Sequence, residues 1–300
     1  MAGRPEAGRG AGRPEAGRGA GRPEAGRGAG RPEAGRGDGP SVRVDRSEGV
    51  VTLTLDTPHN RNALSTALVD DLTAGLRDAG ADRDVRAVVL THTGGTFCAG
   101  ADLTEAGSSV SSRTEQMLTL LRAILETPKP VIGRIDGHVR AGGMGLVGAC
   151  DLVVAGPKSS FALTEARLGL AASIVSLTVV PRMTSRAASR YFLTTETFGA
   201  HEAEAIGLVT EAAADTGATV AELVAAIRPS SPQGLAASKR LTTAAMLEEF
   251  DRRGADLAAE SARLFASDEA REGMMAFLQK RSPSWAAPAE SSGAAVGKET

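Results

Sequence analysis

Two short glycine-centred segments, Phe97-Cys98-Ala99-Gly100-Ala101-Asp102-Leu103 and Ala141-Gly142-Gly143-Met144-Gly145, are followed at a fixed distance by Thr164-Glu165. Glycine lets a ligand atom come close to the main chain, and a turn entering a helix leaves its first N–H groups without carbonyl partners. If the Ala101 and Gly142 N–H groups converge, they form an oxyanion hole. Such a hole stabilises a carbonyl oxygen that gains charge when the neighbouring carbon is attacked or deprotonated. The chemistry is that of an enolate.

The surrounding pattern predicts the elements that must hold these turns. Val42–Asp45 and Val50–Asp56 flank Ser47-Glu48-Gly49 as a hairpin does. Ser65 is the expected N-cap of a helix running to about residue 79, and Ala87–Leu90 reads as a buried strand ending at Gly94-Gly95. A helix is expected over residues 112–126, stopped by Pro128 and Pro130, with a strand over 131–135 before an Asp136-Gly137 turn. Residues 142–150 read as a helix and Leu152–Ala155 as a strand. This alternation of apolar strands with helices predicts parallel βαβ units and an α/β core. After Ile174 the pattern is helical, with patches at 185–193, 200–206, 220–227, 232–250 and 251–280.

Composition narrows the classes of function. The 300-residue chain is 42% hydrophobic but only 3% aromatic, so its interior is built from Ala, Val, Leu and Ile, and base stacking on aromatic rings is not supported. Residues 2–37 repeat Ala-Gly-Arg-Pro-Glu-Ala-Gly-Arg-Gly four times without variation. Rich in Gly, Pro and charge, residues 1–40 are expected to form a disordered tail rather than a solenoid. The tail carries +4, leaving −6 on the rest of the chain against −2 overall, which disfavours nonspecific nucleic-acid binding. No apolar run spans a bilayer and the start lacks a signal-peptide stretch, so a soluble, cytoplasmic protein with no membrane partner is expected.

Several chemistries lack their motifs. Cys98 and Cys150 sit among small apolar residues and read as buried free thiols, and the four histidines have no metal spacing, so no metal is expected. There is no phosphate loop with its lysine and no Gly-x-Ser-x-Gly elbow.

The segments Asn60-Arg61-Asn62-Ala63-Leu64-Ser65, Phe97–Leu103, Gly142–Asp151 and Phe161–Leu170 resemble, in order and spacing, the crotonase superfamily of enoyl-CoA hydratases and isomerases across residues 42 to 281. The resemblance implies a spiral of ββα units over residues 41–230, followed over 231–300 by a C-terminal helical region used for trimer assembly, as a homotrimer or a dimer of trimers. It implies an oxyanion hole from Ala101 and Gly142 for the thioester of an acyl-CoA, with no cofactor beyond the CoA of the substrate. It also implies substrate or CoA contacts at Arg61, Ala63, Ala99, Asp102, Leu103, Gly143, Thr164 and Lys280, with Arg281 beside them. For Asp102, capping of the following helix is the simpler role.

Hydratases of this family carry two glutamates. Here the first position is Gly145, and the second, twenty residues on, is Glu165. That leaves Glu165 as the one candidate acid/base. Gly142–Val147 with Thr164–Leu170 looks like bacterial hydratases of methylglutaconyl-CoA type, which also have glycine at the first position. Hydration of a 2-enoyl-CoA is therefore the leading expectation. An enoyl-CoA delta-isomerase, with Glu165 as proton shuttle, and a noncatalytic acyl-CoA-binding homologue are the alternatives. Arg140 and Arg167 either pair a second acyl carboxylate or serve as surface or subunit-contact arginines. The acyl pocket walls are expected from residues 105–117 and 173–177, where Ala171-Ala172-Ser173 departs from the family's Pro-Gly-rich stretch.

Overall fold

The computed structural model describes residues 39–102, 104, 105 and 110–286. The expected N-terminal tail up to residue 38, and Leu103, lie outside them. The described residues fall in one compact unit that starts at Asp38.

The chain repeats a strand–strand–helix unit. β1 (Val42–Ser47) and β2 (Val50–Leu55) form the expected antiparallel hairpin, turning at Glu48 (φ 48°) and Gly49 (φ 75°), both left-handed as a two-residue hairpin loop requires. α1 (Thr66–Ala81) follows, its N-cap Ser65 Oγ accepting from the Leu68 N–H at 3.2 Å. The next units are β3 (Ala87–His92), β4 (Thr96–Cys98) and α2 (Val110–Glu126), then β5 (Val131–Ile135), β6 (His138–Arg140) and α3 (Gly142–Ala149). A fourth pair, β7 (Leu152–Ala155) and β8 (Ser160–Ala162), runs into a 3-10 turn, Glu165–Leu168.

The two strands of a unit go to different sheets. The larger sheet has order β1-β2-β3-β5-β7-β10, parallel from β2 onward, where β10 is Glu211–Ala212. Its strand β3 is buried from Ala87 through Thr91, as a parallel strand covered on both faces should be. The smaller sheet has order β4-β6-β8-β9, with β4, β6 and β8 parallel and β9 (Phe198–Gly199) antiparallel to β8. Phe97 and Phe161, both fully buried, fill the core side of this smaller sheet.

The remaining elements are helical: α4 (Ser176–Val179), α5 (Ser185–Thr194), α6 (Ala200–Ala205), α7 (Thr216–Ile227), α8 (Pro232–Phe265) and α9 (Asp268–Leu278). Two boundaries differ from expectation by four residues or more. α7 begins four residues before Val220, because Asp215 caps it by accepting from the Gly217 and Ala218 N–H groups. The helix expected to break between Phe250 and Asp251 runs on as α8. Phe250 is buried there, and neither glycine nor proline interrupts the pair. The break falls at Ala266-Ser267, where Ser267 caps α9 by accepting from the Ala270 N–H at 3.1 Å.

α8 packs along α2 and is pinned by a buried cation. Lys239 Nζ donates to Asp151 Oδ2 at 2.7 Å and to the Ile124 and Lys129 carbonyls at 2.7 and 3.1 Å. Among the described residues no helix is long and apolar enough to cross a membrane.

Candidate active site

Three consecutive strands of the smaller sheet end at the three sequence elements singled out above. β4 ends at Cys98 and leads into Ala99–Asp102; β6 ends at Arg140 and leads into Ala141-Gly142; β8 ends at Ala162 and leads into Thr164-Glu165. Because β4, β6 and β8 are parallel, with Cys98 opposite Val139 and Arg140 opposite Ala162, their carboxyl ends lie side by side. Parallel sheets present their ligands at that end. The Ala141 N–H donates to the Ala162 carbonyl at 3.1 Å, so the chain leaves β8 for Glu165 directly beside the Ala141-Gly142 turn.

The first two turns touch. Gly100 has φ 92°, and a Cβ on it would stand 2.8 Å from Ala141 Cβ and 3.3 Å from Gly142 N. Only glycine allows that approach. Gly143, at the start of α3, packs equally closely on β4, where an added Cβ would meet Cys98 Cβ at 2.8 Å.

Among the described residues, both candidate N–H groups are without backbone partners. Ala101 bridges Leu64 in parallel, but the hydrogen bonds of that bridge belong to its neighbours: Leu64 N–H to the Gly100 carbonyl at 2.8 Å and Asp102 N–H to the Leu64 carbonyl at 3.4 Å. In such a bridge the N–H of Ala101 itself points away from Leu64. Gly142 is the first residue of α3, whose opening N–H groups have no carbonyl within the helix and sit at its positive end. The preceding residue, Ala141, has φ 46° and ψ −120°, a region that side chains rarely occupy. Backbone strain of this kind gathers at functional turns.

Glu165 is half-buried as a residue, yet its Oε2 is out of solvent contact and has no hydrogen-bond partner. Burial pushes its carboxyl up from 4.5 to about 7, while hydrogen bonds from the N–H groups of Glu165 and Thr164 pull the other way. Such a carboxyl exchanges protons near neutral pH, as a general acid/base must.

Gly145 does not leave a vacancy for a missing carboxylate. A Cβ there would meet Val175 Cγ1 at 2.8 Å, Met117 Cε at 3.0 Å and Leu121 Cδ1 at 3.2 Å. Leu64 Cδ1 and Met117 Cε also face Gly142, at 3.0 and 3.7 Å from the same construction. An apolar wall of Leu64, Met117, Leu121 and Val175 therefore runs past the oxyanion turn. Met117 and Val175 fall in the two stretches expected to wall the pocket. Leu64 and Leu121 were not singled out, and only their place in helical or loop patterns signals them.

The other candidate residues divide. Ala63 and Ala99 sit in the joined loops: the Ala99 N–H donates to the Arg61 carbonyl at 3.2 Å, and the Ala63 N–H to Asn60 Oδ1 at 3.3 Å. Buried Asn62, at φ 52°, fixes that loop by donating to the Thr93 and Thr96 carbonyls and accepting from the Thr57 N–H. Sequence reasoning assigned it no separate role. The Arg61 side chain is exposed. Thr164 is half-buried and precedes the 3-10 turn, and Gly143 is buried in α3.

Asp102 holds the turn to Thr104 rather than capping a helix, since Thr104 and Glu105 after it are not helical. Its Oδ1 accepts from the Thr104 N–H and hydroxyl at 2.9 and 2.6 Å, and its Oδ2 from Asn60 at 3.3 Å. Burial alone would raise this carboxyl. The hydrogen bonds from Thr104 and Asn60, with the Arg113 charge, outweigh it and hold the group below its usual range.

The arginines are placed less centrally. Arg140 donates to the Val139 and Ser160 carbonyls at 2.8 and 2.7 Å and to Ser160 Oγ at 2.9 Å, and burial lowers its pKa. Arg167 is exposed on the Glu165 turn. Lys280 is exposed just beyond α9 at φ 53°. Arg281 is held in a two-pronged pair with Glu272, both contacts at 2.7 Å.

Both cysteines are free and buried, with burial pushing each thiol up to about 12. Thiols this reluctant to ionise are structural. His92 is taken up by the fold, its Nε2 accepting from the Asp136 N–H at 3.1 Å. Among the described residues no three His, Cys, Asp or Glu side chains gather where a metal ion could be held.

A family profile described as "Enoyl-CoA hydratase/isomerase" matches residues 45–288. A crystal structure of an enoyl-CoA hydratase from Mycobacterium avium is 60% identical and superposes with a TM-score of 0.78, covering 82% of this chain and 98% of that one. The "Probable enoyl-CoA hydratase" of Rhodobacter capsulatus is 34% identical over 81% of this chain and 96% of its own length. The 2,3-dehydroadipyl-CoA hydratase of Escherichia coli is 31% identical over 80% and 96% respectively. The ββα spiral, its helical C-terminal region and these matches agree. The chain belongs to the enoyl-CoA hydratase/isomerase family, with the crotonase fold.

Proposed function

We propose that this chain is an acyl-CoA-processing enzyme that hydrates a 2-enoyl-CoA, with the thioester oxygen on the Ala101 and Gly142 N–H groups and Glu165 as the acid/base. The observation that carries the reading is the buried Glu165 Oε2, on a carboxyl raised to about 7, at the same sheet end as two N–H groups, all three atoms without hydrogen-bond partners among the described residues. The relatives named as enoyl-CoA hydratases support the reaction class.

In the proposed reaction a water oxygen bonds to C3 while the C2–C3 π pair moves toward the thioester. The oxygen then carries enolate charge, which the two N–H groups stabilise. Glu165 takes the water's proton, the carbonyl re-forms, and C2 receives a proton from Glu165. The product is the 3-hydroxyacyl-CoA, and no cofactor enters. With Gly145 walled by Val175, Met117 and Leu121, one carboxyl performs both transfers. Leu64, Met117, Leu121 and Val175 suit an apolar acyl group. Arg61 and Lys280, both exposed, are proposed for the CoA phosphates, and for Leu103 the acyl or CoA contact that the resemblance implies is kept as a proposal. Buried free thiols fit a reducing, cytoplasmic setting.

The same apolar wall favours a second reading. With no polar side chain at position 145 to hold a water, Glu165 could move a proton between C2 and C4 of a 3-enoyl-CoA instead, an isomerisation. A panel of 2- and 3-enoyl-CoA thioesters, with products identified by mass, separates the two: hydration adds one water and isomerisation adds nothing. Glu165→Gln is expected to lower kcat by about 10²–10⁴ while KM holds. Undiminished turnover in that variant rules out the role of Glu165.

The C-terminal helices expose large apolar side chains, among them Leu241, Met275, Phe277 and Leu278. We assign this surface to contact with further copies of the chain, as a trimer or a dimer of trimers.

A further inference from the structure

α9 lies directly against the 3-10 turn that carries Glu165. From the turn, a Cβ on Gly169 would stand 2.7 Å from the Glu269 carbonyl carbon and 2.9 Å from Ala270 N. From the helix, a Cβ on Gly273 would stand 2.5 Å from the carbonyl carbon and oxygen of Leu168. Both contacts are main chain on main chain, with no flexible side chain between to yield. Buried Ala270 and Ala276 occupy the same face of α9.

The turn transmits such a displacement instead of absorbing it. It is closed by the Leu170 N–H to the Glu165 carbonyl at 3.1 Å and by the Arg167 N–H to the Thr164 carbonyl at 3.2 Å. The N–H groups of Glu165 and Thr164 bond the Glu165 carboxyl, whose Oε2 has no other partner among the described residues, so its aim follows the main chain of the turn. We propose that Gly273 is a positioning residue for the Glu165 carboxyl: by bringing the α9 backbone onto Leu168, it fixes the height of the catalytic turn. This rests on the reading of Glu165 as the acid/base.

The charged groups on the packed elements are Arg167 on the turn and Asp268, Glu269, Arg271 and Glu272 on α9; of these only Glu272 is not fully exposed, and Arg281 pairs it. A change in the Glu165 titration on altering Gly273 therefore reports the turn's burial rather than a new charge.

Gly273→Ala is expected to lower kcat by about 100-fold, as a misplacement near 1 Å does, with KM nearly unchanged. The limb of the kcat–pH profile set by Glu165 should move toward acid as the carboxyl gains solvent. Gly254→Ala in α8 is the matched control, because its Cβ meets only Leu118 methyls at 3.6 and 3.9 Å, and its kcat and profile should match the wild type. Should Gly273→Ala fail to fold, Ala270→Gly tests the adjoining contact with Gly169 by freeing the α9 backbone there, with the same expected drop and shift. An infrared difference titration against Glu165→Gln reads the carboxyl's protonation without turnover. A folded Gly273→Ala, or failing that Ala270→Gly, with wild-type kcat and wild-type Glu165 titration overturns the proposal. Active Glu165→Gln instead removes the reading beneath it, so the two failures are distinct.

Discussion

Glu165 sets its own ionisation against folding. In the unfolded chain an ordinary glutamate ionises near 4.5, whereas burial holds the folded carboxyl protonated up to about 7. Between those values the folded state binds a proton that the unfolded state has released. The contribution to stability is complete below 4.5 and is lost as pH rises through about 7, a change of at most about 3 kcal/mol. Glu165→Gln is therefore expected to raise Tm at about pH 8 and to lose that advantage as pH falls below about 4.5. Melting curves across this range check it, and a Tm difference independent of pH would contradict it. Gly145 makes the opposite point. Restoring a glutamate there drives its Cβ into Val175, Met117 and Leu121. Overpacking alone should cost about 1–3 kcal/mol, with a buried carboxylate adding to it. Gly145→Glu should lower the denaturant midpoint without raising hydratase kcat. A stable variant with faster hydration would mean the wall yields.

The elements that deliver the site are the short strands of the smaller sheet, and these were the least legible. The β1–β2 hairpin, α1, α2, β5, α3 and β7 could be read from period, caps and prolines, since each has enough residues to show a pattern. β4, β6 and β8 have three residues each, too few for a period of two to declare itself, and lie among glycine turns. Their pairing comes from tertiary register. The motifs at their ends were legible because glycine at 100, 142 and 143 and the spacing to Glu165 are chemical requirements, whereas the strands between need only be short and apolar. The 250/251 break was misplaced: Asp251-Arg252-Arg253 are polar residues that α8 carries on its exposed side without interruption. Lys239 ties α8 to the core beside its buried Met246, Phe250 and Leu257. Lys239→Met removes the cation from Asp151 and two carbonyls, and should lower stability by about 3–5 kcal/mol by leaving a carboxylate partly buried and unpaired. Urea unfolding measures this, and an unchanged midpoint would show that α8 is held by apolar packing alone.

At the scale of the molecule, α9 has two faces. Ala270, Gly273 and Ala276 are buried toward the catalytic turn, while Met275, Phe277 and Leu278 are 45%, 61% and 64% exposed. Exposed apolar groups gathered on one helix mark an interface more often than scattered ones do. Light scattering coupled to gel filtration is expected to give a trimer or hexamer, and Phe277→Asp to shift it toward smaller species. A wild-type monomer at micromolar concentration would contradict that assembly. The central claim concerns where the thioester sits. A crystal structure of Glu165→Gln with a bound 2-enoyl-CoA should place the thioester oxygen within about 3 Å of both Ala101 N and Gly142 N, with residue 165 over C2 and C3. A thioester oxygen held elsewhere, or a residue 165 side chain turned from the acyl group, would contradict the account.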